Sequence, residues 1–290
     1  MYASENDWYT WNYDSQQFQT VYKPYYGTIG TFKEELIKAA SSTLEHCGSD
    51  KISILFSGGS ESDLMLRSFL EVKKTPNVYI IRYENDYNIY DVSYAVTICS
   101  MLNVDYKIID FNLTNFFEND ADLVSELSQI DRPRALPYCK ILELVDDIPI
   151  FGRGEPNPIK IENKWIQRCH EYDVGRIKYA RAINKPAIAE WFKWTPGLVA
   201  SYMNLKWFQN LINNQYNTTD ASSTKMIGYK EAYPNLIPRN KKTGFEHIDS
   251  LINEFDAHLY KKYNGYPYRA THDRDISNWY LEITGNTVVS

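Results

Sequence analysis

Apolar positions along this chain switch between two spacings, and the switching sketches a fold. Phe32, Leu36, Ile37 and Ala40 recur at helical intervals, and the largely apolar run Ile52-Ser53-Ile54-Leu55-Phe56 then reads as a buried strand. Leu64, Leu66, Phe69 and Leu70 predict a second helix after a tight turn, and residues 78–81 a second strand. Ile89, Val92, Ala95, Val96, Cys99 and Leu102 mark one face of a third helix, residues 106–111 a third strand, and residues 148–151 a further strand ending at Gly152. Strands separated by single helices imply parallel crossovers, hence an α/β fold built on a doubly wound parallel sheet whose ligands lie beyond the carboxyl ends of the strands. After about residue 160 the apolar spacing at Trp165, Ile166 and Cys169, at Ile183, Ile188, Trp191 and Phe192, and from Leu198 to Phe208 predicts helices, with a polar loop over residues 213–224. Three parts are therefore expected: an aromatic N-terminal arm over 1–30, an α/β core over 31–160, and a mainly helical part over 161–290 closing over one edge of the sheet.

Composition narrows the function. The 290 residues are 43% hydrophobic and 23% charged, enough for a substantial core, and the formal net charge of −6 leaves no excess of Lys and Arg for binding nucleic acid by bulk phosphate neutralisation. No apolar run is long enough for a membrane span and the first residues have no signal-peptide pattern, so a cytoplasmic protein is expected. The richness in Asn, Tyr, Ile and Lys is compatible with an AT-rich, including viral, coding source. Cys47, Cys99, Cys139 and Cys169 have no C-x-x-C spacing and read as reduced thiols packed like small hydrophobes. The rings clustered between Trp8 and Tyr26 offer stacking faces for a base, although such a stretch is more often an arm strapped to the domain by those rings.

The sharpest local signal is Ser57-Gly58-Gly59-Ser60-Glu61-Ser62-Asp63, directly after one apolar strand and directly before a helix. Two glycines let the backbone turn and a ligand approach, while helix N-terminal amides and the hydroxyls of Ser57, Ser60 and Ser62 can donate to phosphate oxygens. A Ser-Gly turn capping a helix is the plainer alternative. The loop has neither the Gly-Lys-[Ser/Thr] of a Walker A motif nor G-x-G-x-x-G.

At these residues the chain resembles the PP-loop (HUP-like) ATP pyrophosphatases, whose signature S-G-G-x-D-S here carries Glu61 in place of Asp. The order of segments over most of residues 31–250 is most similar to the synthetase domain of asparagine synthetase and of β-lactam synthetase. Asp91 to Tyr106 is similar to the helix and strand that follow the second strand in that group. Phe151-Gly152-Arg153-Gly154-Glu155-Pro156-Asn157 lies where the group has S-G-[DE]-G-x-D-E. Lys225, Lys230 to Pro238 and Lys242-Thr243-Gly244-Phe245 resemble its K-x-x-L-R-E-A and R-x-K-x-G-F run.

The resemblance implies cleavage of ATP between the α and β phosphates to activate a carboxylate or carbonyl oxygen for attack by ammonia or an amine. It places phosphates on Ser57 to Ser62 with Gly152 and Gly154 nearby, adenine near Ile81, and Mg2+ on pyrophosphate oxygens with Asp63 or Glu61. Lys242 is the principal catalytic candidate, with Lys225, Arg153 and Glu155 beside it. Lys225, Lys230, Arg239, Lys241 and Lys242 against Glu231 make 225–245 locally basic in an acidic chain; a solvated charge run is the common reading of such a cluster.

Departures matter too. Arg153 and Pro156 replace two acidic positions of the group's loop, which speaks against ordinary aspartate amidation, and Glu155 alone offers a base there. An arginine at that place suits an anionic substrate or a leaving pyrophosphate. Tyr2 follows Met1 where a glutaminase would place its cysteine, so nitrogen is expected from ammonia, from an amine on a small-molecule or nucleotide substrate, or from a separate ammonia-supplying subunit. Two alternatives stand beside the ligase: a nucleotide-binding protein without turnover acting through a partner, and a PP-loop enzyme that modifies a nucleotide or base.

Overall fold

The computed structural model describes residues 28–48, 51–155, 158–162, 164–170, 175–212, 221–238, 242–269 and 271–275. Helix α1 (Phe32–Cys47) leads into strand β1 (Ile52–Leu55), followed by α2 (Ser60–Glu71), β2 (Asn77–Tyr83), α3 (Ile89–Leu102) and β3 (Lys107–Phe111). Three helices, α4 (Leu113–Asn119), α5 (Ala121–Ser128) and α6 (Pro137–Lys140), then return the chain to β4 (Ile148–Ile150). Beyond it lie β5 (Pro158–Ile161), β6 (Lys164–His170), α7 (Gly175–Ala182), α8 (Pro196–Met203), α9 (Lys206–Ile212), α10 (Ala221–Ala232), α11 (Asp249–Tyr263) and β7 (Thr271–Asp275).

β1 to β4 form a parallel sheet in the order β3-β2-β1-β4, with Ile54 opposite Val78 on one side and Ile150 on the other. This is the doubly wound α/β arrangement that the apolar runs predict. The chain moves outward from β1 through β2 to β3 and then returns to the far side of β1, so the strand order reverses between β1 and β4. At such a reversal the connections leave in opposite directions and open a crevice above the strand ends.

A parallel sheet covered on both faces needs apolar residues pointing both ways, which is why its strands read as continuous rather than alternating runs. Ile54 and Ile150 belong to one core, formed with α1, α2, α3 and α8 to α10. Their chain neighbours Leu55 and Phe151 belong to the other, formed with α4 to α7 and α11. α1 begins with a capping box, in which Thr31 accepts from the Glu34 amide and Glu34 answers to the Thr31 amide at 2.7 Å. The helical part is fastened to α1 by two indoles: Trp191 donates to the Thr43 hydroxyl (3.1 Å) and Trp194 to the Ser42 hydroxyl (3.3 Å).

Two expectations are corrected. Trp165, Ile166 and Cys169 lie on a strand, not a helix: β5, β6 and β7 form a separate antiparallel sheet, with Ile159 opposite Ile166 and Cys169 opposite His272. β5 and β6 pair as a hairpin, and Glu162 after β5 takes φ +54°, as tight turns require. The polar loop expected at 213–224 gives way to α10 from Ala221; residues 213–220 lie outside the described residues, as do residues 1–27 of the aromatic arm, Pro156, Asn157, Arg239 and Lys241. No helix among the described residues is long and apolar enough to cross a membrane.

The Trp191 ring is fully buried between Phe69 and Phe192 with ring centroids 5.9 and 5.4 Å away. Trp191→Ala is expected to cost about 3–5 kcal/mol in urea unfolding, since it leaves a cavity and deprives the Thr43 hydroxyl of its donor. A loss below about 1 kcal/mol would mean that the ring does not hold the helical part to α1.

Candidate active site

β1 ends at Leu55, and within four residues the chain has turned and begun α2. Gly58 takes φ +65°, and a Cβ there would lie 2.7 Å from the Ala95 nitrogen on α3, closer than any real side chain comes. Gly59 is the N-cap residue of α2 in extended conformation and supplies no side-chain cap. The first-turn amides of a 12-residue helix therefore open toward the crevice as an anion site. The loop is held by its own serines: Ser62 donates to the Gly59 carbonyl (2.9 Å), and the Ser57 hydroxyl accepts from the Gly59 amide (3.3 Å) and lies 3.4 Å from that of Ser62.

Above the strand ends is a cavity of about 330 Å³. Ser57, Glu61 and Ser62 line it from the β1–α2 loop, Ile81 and Tyr83 from β2, Asn88, Asp91 and Val92 from the start of α3, and Gly152, Arg153 and Glu155 from the segment after β4. Gly152 and Gly154 allow that segment to close in. A Cβ on Gly152 would lie 3.0 Å from the Glu61 backbone, and one on Gly154, at φ +90°, 2.5 Å from the Glu190 Cβ.

α10 sends Lys225 into this cavity. Its ammonium donates to Glu61 and, at 3.0 Å, to Glu155, whose carboxylate also accepts from the Tyr229 hydroxyl at 3.2 Å. Lys225 and Tyr229 are four residues apart and so share a helix face. Burial pushes the Glu61 carboxyl up, but the Lys225 ammonium outweighs it and brings the group down to about 2. Burial also pushes Lys225 down, and the two carboxylates overcome it to hold the ammonium at about 12. Glu155 moves the other way: burial, helped by the charge on Glu61, raises it against the pull of the shared lysine. Two carboxyl groups around one cation are thus driven in opposite directions, Glu61 down and Glu155 up.

The remaining candidates are placed less uniformly. Asp63 is buried, is not among the cavity's lining residues, and pairs with Arg67 one turn along α2 at 2.7 Å. Burial raises its pKa, with Arg67 opposing. Lys242 is exposed, its ammonium 4.3 Å from the Tyr90 ring centre and its backbone amide on the Asp91 carboxylate at 3.3 Å; its neighbour Thr243 reaches the cavity wall. Arg153 is exposed at the rim, and Ser60 donates to Glu61 at 3.1 Å. Asn88, Asp91, Tyr138 and Tyr229 complete the site without having been singled out from sequence. Of these, Tyr229 had a signal, its four-residue spacing from Lys225.

No protein-family model matches the chain, and no curated protein matches it. It is similar to solved structures of an NMN synthetase from Francisella tularensis (10% identity, TM-score 0.34, covering 72% of this chain and 96% of that one). It is similar also to an NH3-dependent NAD synthetase from Campylobacter jejuni subsp. jejuni NCTC 11168 (16%, 0.33, 80% and 93%). A third likeness is to a predicted subunit of tRNA methyltransferase from Methanocaldococcus jannaschii (15%, 0.36, 79% and 97%). Likeness at this level concerns the course of the chain and assigns no activity.

The ion cluster has a pH signature. Glu61 titrates near 4.5 when unperturbed and near 2 in the fold, so its contribution to stability is complete above about pH 4.5 and is lost as pH falls toward 2. Glu155, raised in the fold, has the opposite sign and withdraws stability as pH rises above its unfolded value. Lys225→Met strands both carboxylates, so its melting temperature should lie furthest below wild type near neutral pH, the gap closing as pH falls through that window. A gap that stays constant from neutral pH down to about 2.5 would contradict the pairing.

Proposed function

We propose that the protein is an AMP-forming ATP-dependent ligase of the PP-loop pyrophosphatase type, activating a carboxylate or carbonyl oxygen for attack by ammonia or an amine. The observation that carries this reading is the Ser57–Ser62 loop: a glycine turn at the end of the central strand, at a strand-order reversal, opening the amides of α2 onto a cavity. Side chains at Gly58 and Gly152 would strike the backbone of α3 and α2, so these glycines let the walls of the cavity pack backbone against backbone around the loop.

Magnesium fits this site in a limited way. The described residues contain no group of three His, Cys, Asp or Glu side chains suited to a metal, and Asp63 is engaged by Arg67. Glu61, ionised at neutral pH and on the cavity wall, is the residue that would hold the ion together with phosphate oxygens and water, the usual arrangement for a nucleotide-bound magnesium. When bound it would neutralise charge on the phosphates.

In the reaction the acceptor oxygen attacks the α phosphorus, the α–β bond breaks and pyrophosphate leaves. Nitrogen then attacks the activated carbon, loses a proton and displaces AMP. Lys225 supplies a fixed positive charge between α2 and the β4 segment, where charge accumulates on leaving pyrophosphate. Glu155, whose carboxyl is raised by burial and which is hydrogen-bonded by Tyr229, is suited to take the proton from nitrogen. Arg153 at the rim offers a forked contact to an anionic substrate or to departing pyrophosphate.

A second reading, nucleotide binding without turnover, is favoured by one observation: Glu61 and Asp63 are both committed to ion pairs. Product analysis separates the two. With ATP, magnesium, ammonium and a panel of carboxylates and nucleosides, the ligase yields AMP and pyrophosphate, and Lys225→Met lowers the rate about 10²–10³-fold, as does Lys242→Ala if its ammonium meets the phosphates. ATP bound but unchanged across the panel favours the second reading, and absence of ATP binding removes both.

A further inference from the structure

The ladder between β1 and β2 stops early. Its last paired residues are Leu55 and Tyr79, after which the Phe56 amide donates to the Tyr79 carbonyl at 2.8 Å and the chain turns away toward Gly58. β2 continues for four more residues. Because strand geometry repeats every two residues, Ile81 and Tyr83 present backbone groups on the same edge as Tyr79, past the end of β1 and along the cavity wall. Backbone groups left buried in this way need partners.

Asn88 provides them. Its Oδ1 accepts from the Tyr83 amide at 2.8 Å and its Nδ2 donates to the Ile81 carbonyl at 2.9 Å, with the residue 7% exposed. Asn88 is also the N-cap residue of α3, a position where asparagine ordinarily turns back to bond its own helix, yet here it makes no cap bond. The side chain has forgone the local bond to lie on the strand edge.

A carboxamide offers one donor and one acceptor side by side in a plane. The edge of a 6-aminopurine offers the same pair, its amino group donating and its ring nitrogen accepting. A 6-oxopurine offers the reverse, and would set oxygen against the Ile81 carbonyl and N–H against the Tyr83 amide. The two backbone groups that could tell these bases apart are therefore already taken.

We propose that Asn88 sets the nucleobase selectivity of this cavity: by occupying the Ile81–Tyr83 edge, it makes the site accept purine nucleotides without reading their 6-substituent. This rests on the nucleotide reading of the cavity given above. The base is then held by its faces, against apolar surface from Leu55, Ile80 and Val92, and contacts of that kind discriminate weakly, whereas a hydrogen-bonding site strongly rejects the analogue that cannot pair.

The test compares ATP with ITP, which differ at this edge alone, by equilibrium dialysis with magnesium and no acceptor. Wild type should bind the two within about threefold of each other, and Asn88→Ala, which frees the edge for a 6-amino group, should prefer ATP by about tenfold or more. Should the alanine variant melt at the working temperature, Asn88→Ser serves instead. Its hydroxyl suits the N-cap position of α3 and is too short to hold both the Ile81 carbonyl and the Tyr83 amide, so the same preference for ATP is expected. Wild type preferring ATP by about tenfold, or a ratio unchanged in both variants, overturns the role of Asn88 while leaving nucleotide binding intact. Failure of wild type to bind either nucleotide at millimolar concentration overturns the nucleotide reading and this inference with it.

Discussion

Three backbones meet at the top of β1 with no room for a side chain between them. The turn after the strand passes so near α3 that a Cβ on Gly58 would fall 2.9 Å from the Ala95 Cα, and the segment after β4 passes so near α2 that a Cβ on Gly152 would fall 3.0 Å from the Ser62 Cα. That close approach sets the rest of the site. It fixes the start of α3, and with it Asn88 and Asp91, against the phosphate-type loop, and it brings Glu155 over the first turn of α2. A methyl group at either glycine would part these walls, because backbone cannot move aside as a flexible side chain does.

Across that junction lies a partly buried ion cluster. Glu61 on α2 and Glu155 after β4 share the single ammonium of Lys225 on α10. Such a cluster is poor evidence of stabilisation, since desolvating charges costs about what their attraction returns. What it produces is an asymmetry. The carboxylate nearer the ammonium stays ionised far into acid, and the other retains its proton more readily than a free glutamate. Pairs of carboxyls whose environments drive them apart can hold a cation with one member and accept a proton with the other. The same geometry ties the helical part to the sheet by a contact that depends on the state of the cavity, so a ligand bearing negative charge would compete directly for Lys225.

The parallel sheet was legible because β1 and β4 send apolar side chains into both cores: Ile52 to Phe56 and Ile148 to Phe151 are runs that few other structures would tolerate. The glycine turn was legible because its chemistry is local. The hairpin of β5 and β6 was not. Trp165, Ile166 and Cys169 fall at i, i+1 and i+4, as on a helix face, and their spacing gave no sign of strands. Nor does sequence order reveal direction within the first turn of α2. At 3.6 residues per turn, Glu61 and Asp63 stand about 200° apart, so both cannot look into one cavity. Asp63 faces inward and finds Arg67 four residues on, while Glu61 faces the site. Asn88 escaped notice because its role depends on a strand edge exposed only where the pairing with β1 stops four residues before the end of β2.

The two lysines that a basic run between residues 225 and 245 brought into view differ in how firmly they are held. Lys225 lies between two partly buried carboxyl groups, and withdrawing it would leave them without a cation. Lys242 rests on an exposed tyrosine ring, a contact worth about 0.5–1 kcal/mol in water. Its backbone, by contrast, is fixed. The amide bonds Asp91, Gly244 at φ +83° packs so that a Cβ would meet the Tyr87 carbonyl carbon at 2.7 Å, and Phe245 lies 5.8 Å from the Tyr83 ring. A hydrogen bond from an ammonium to a charged oxygen contributes about 1.5–3 kcal/mol, more than the tyrosine contact it would replace. The structure therefore holds one cation in place and keeps a second on a rigid base with a weakly held side chain. Charge arriving in the cavity would be met first by Lys225, which already lines it.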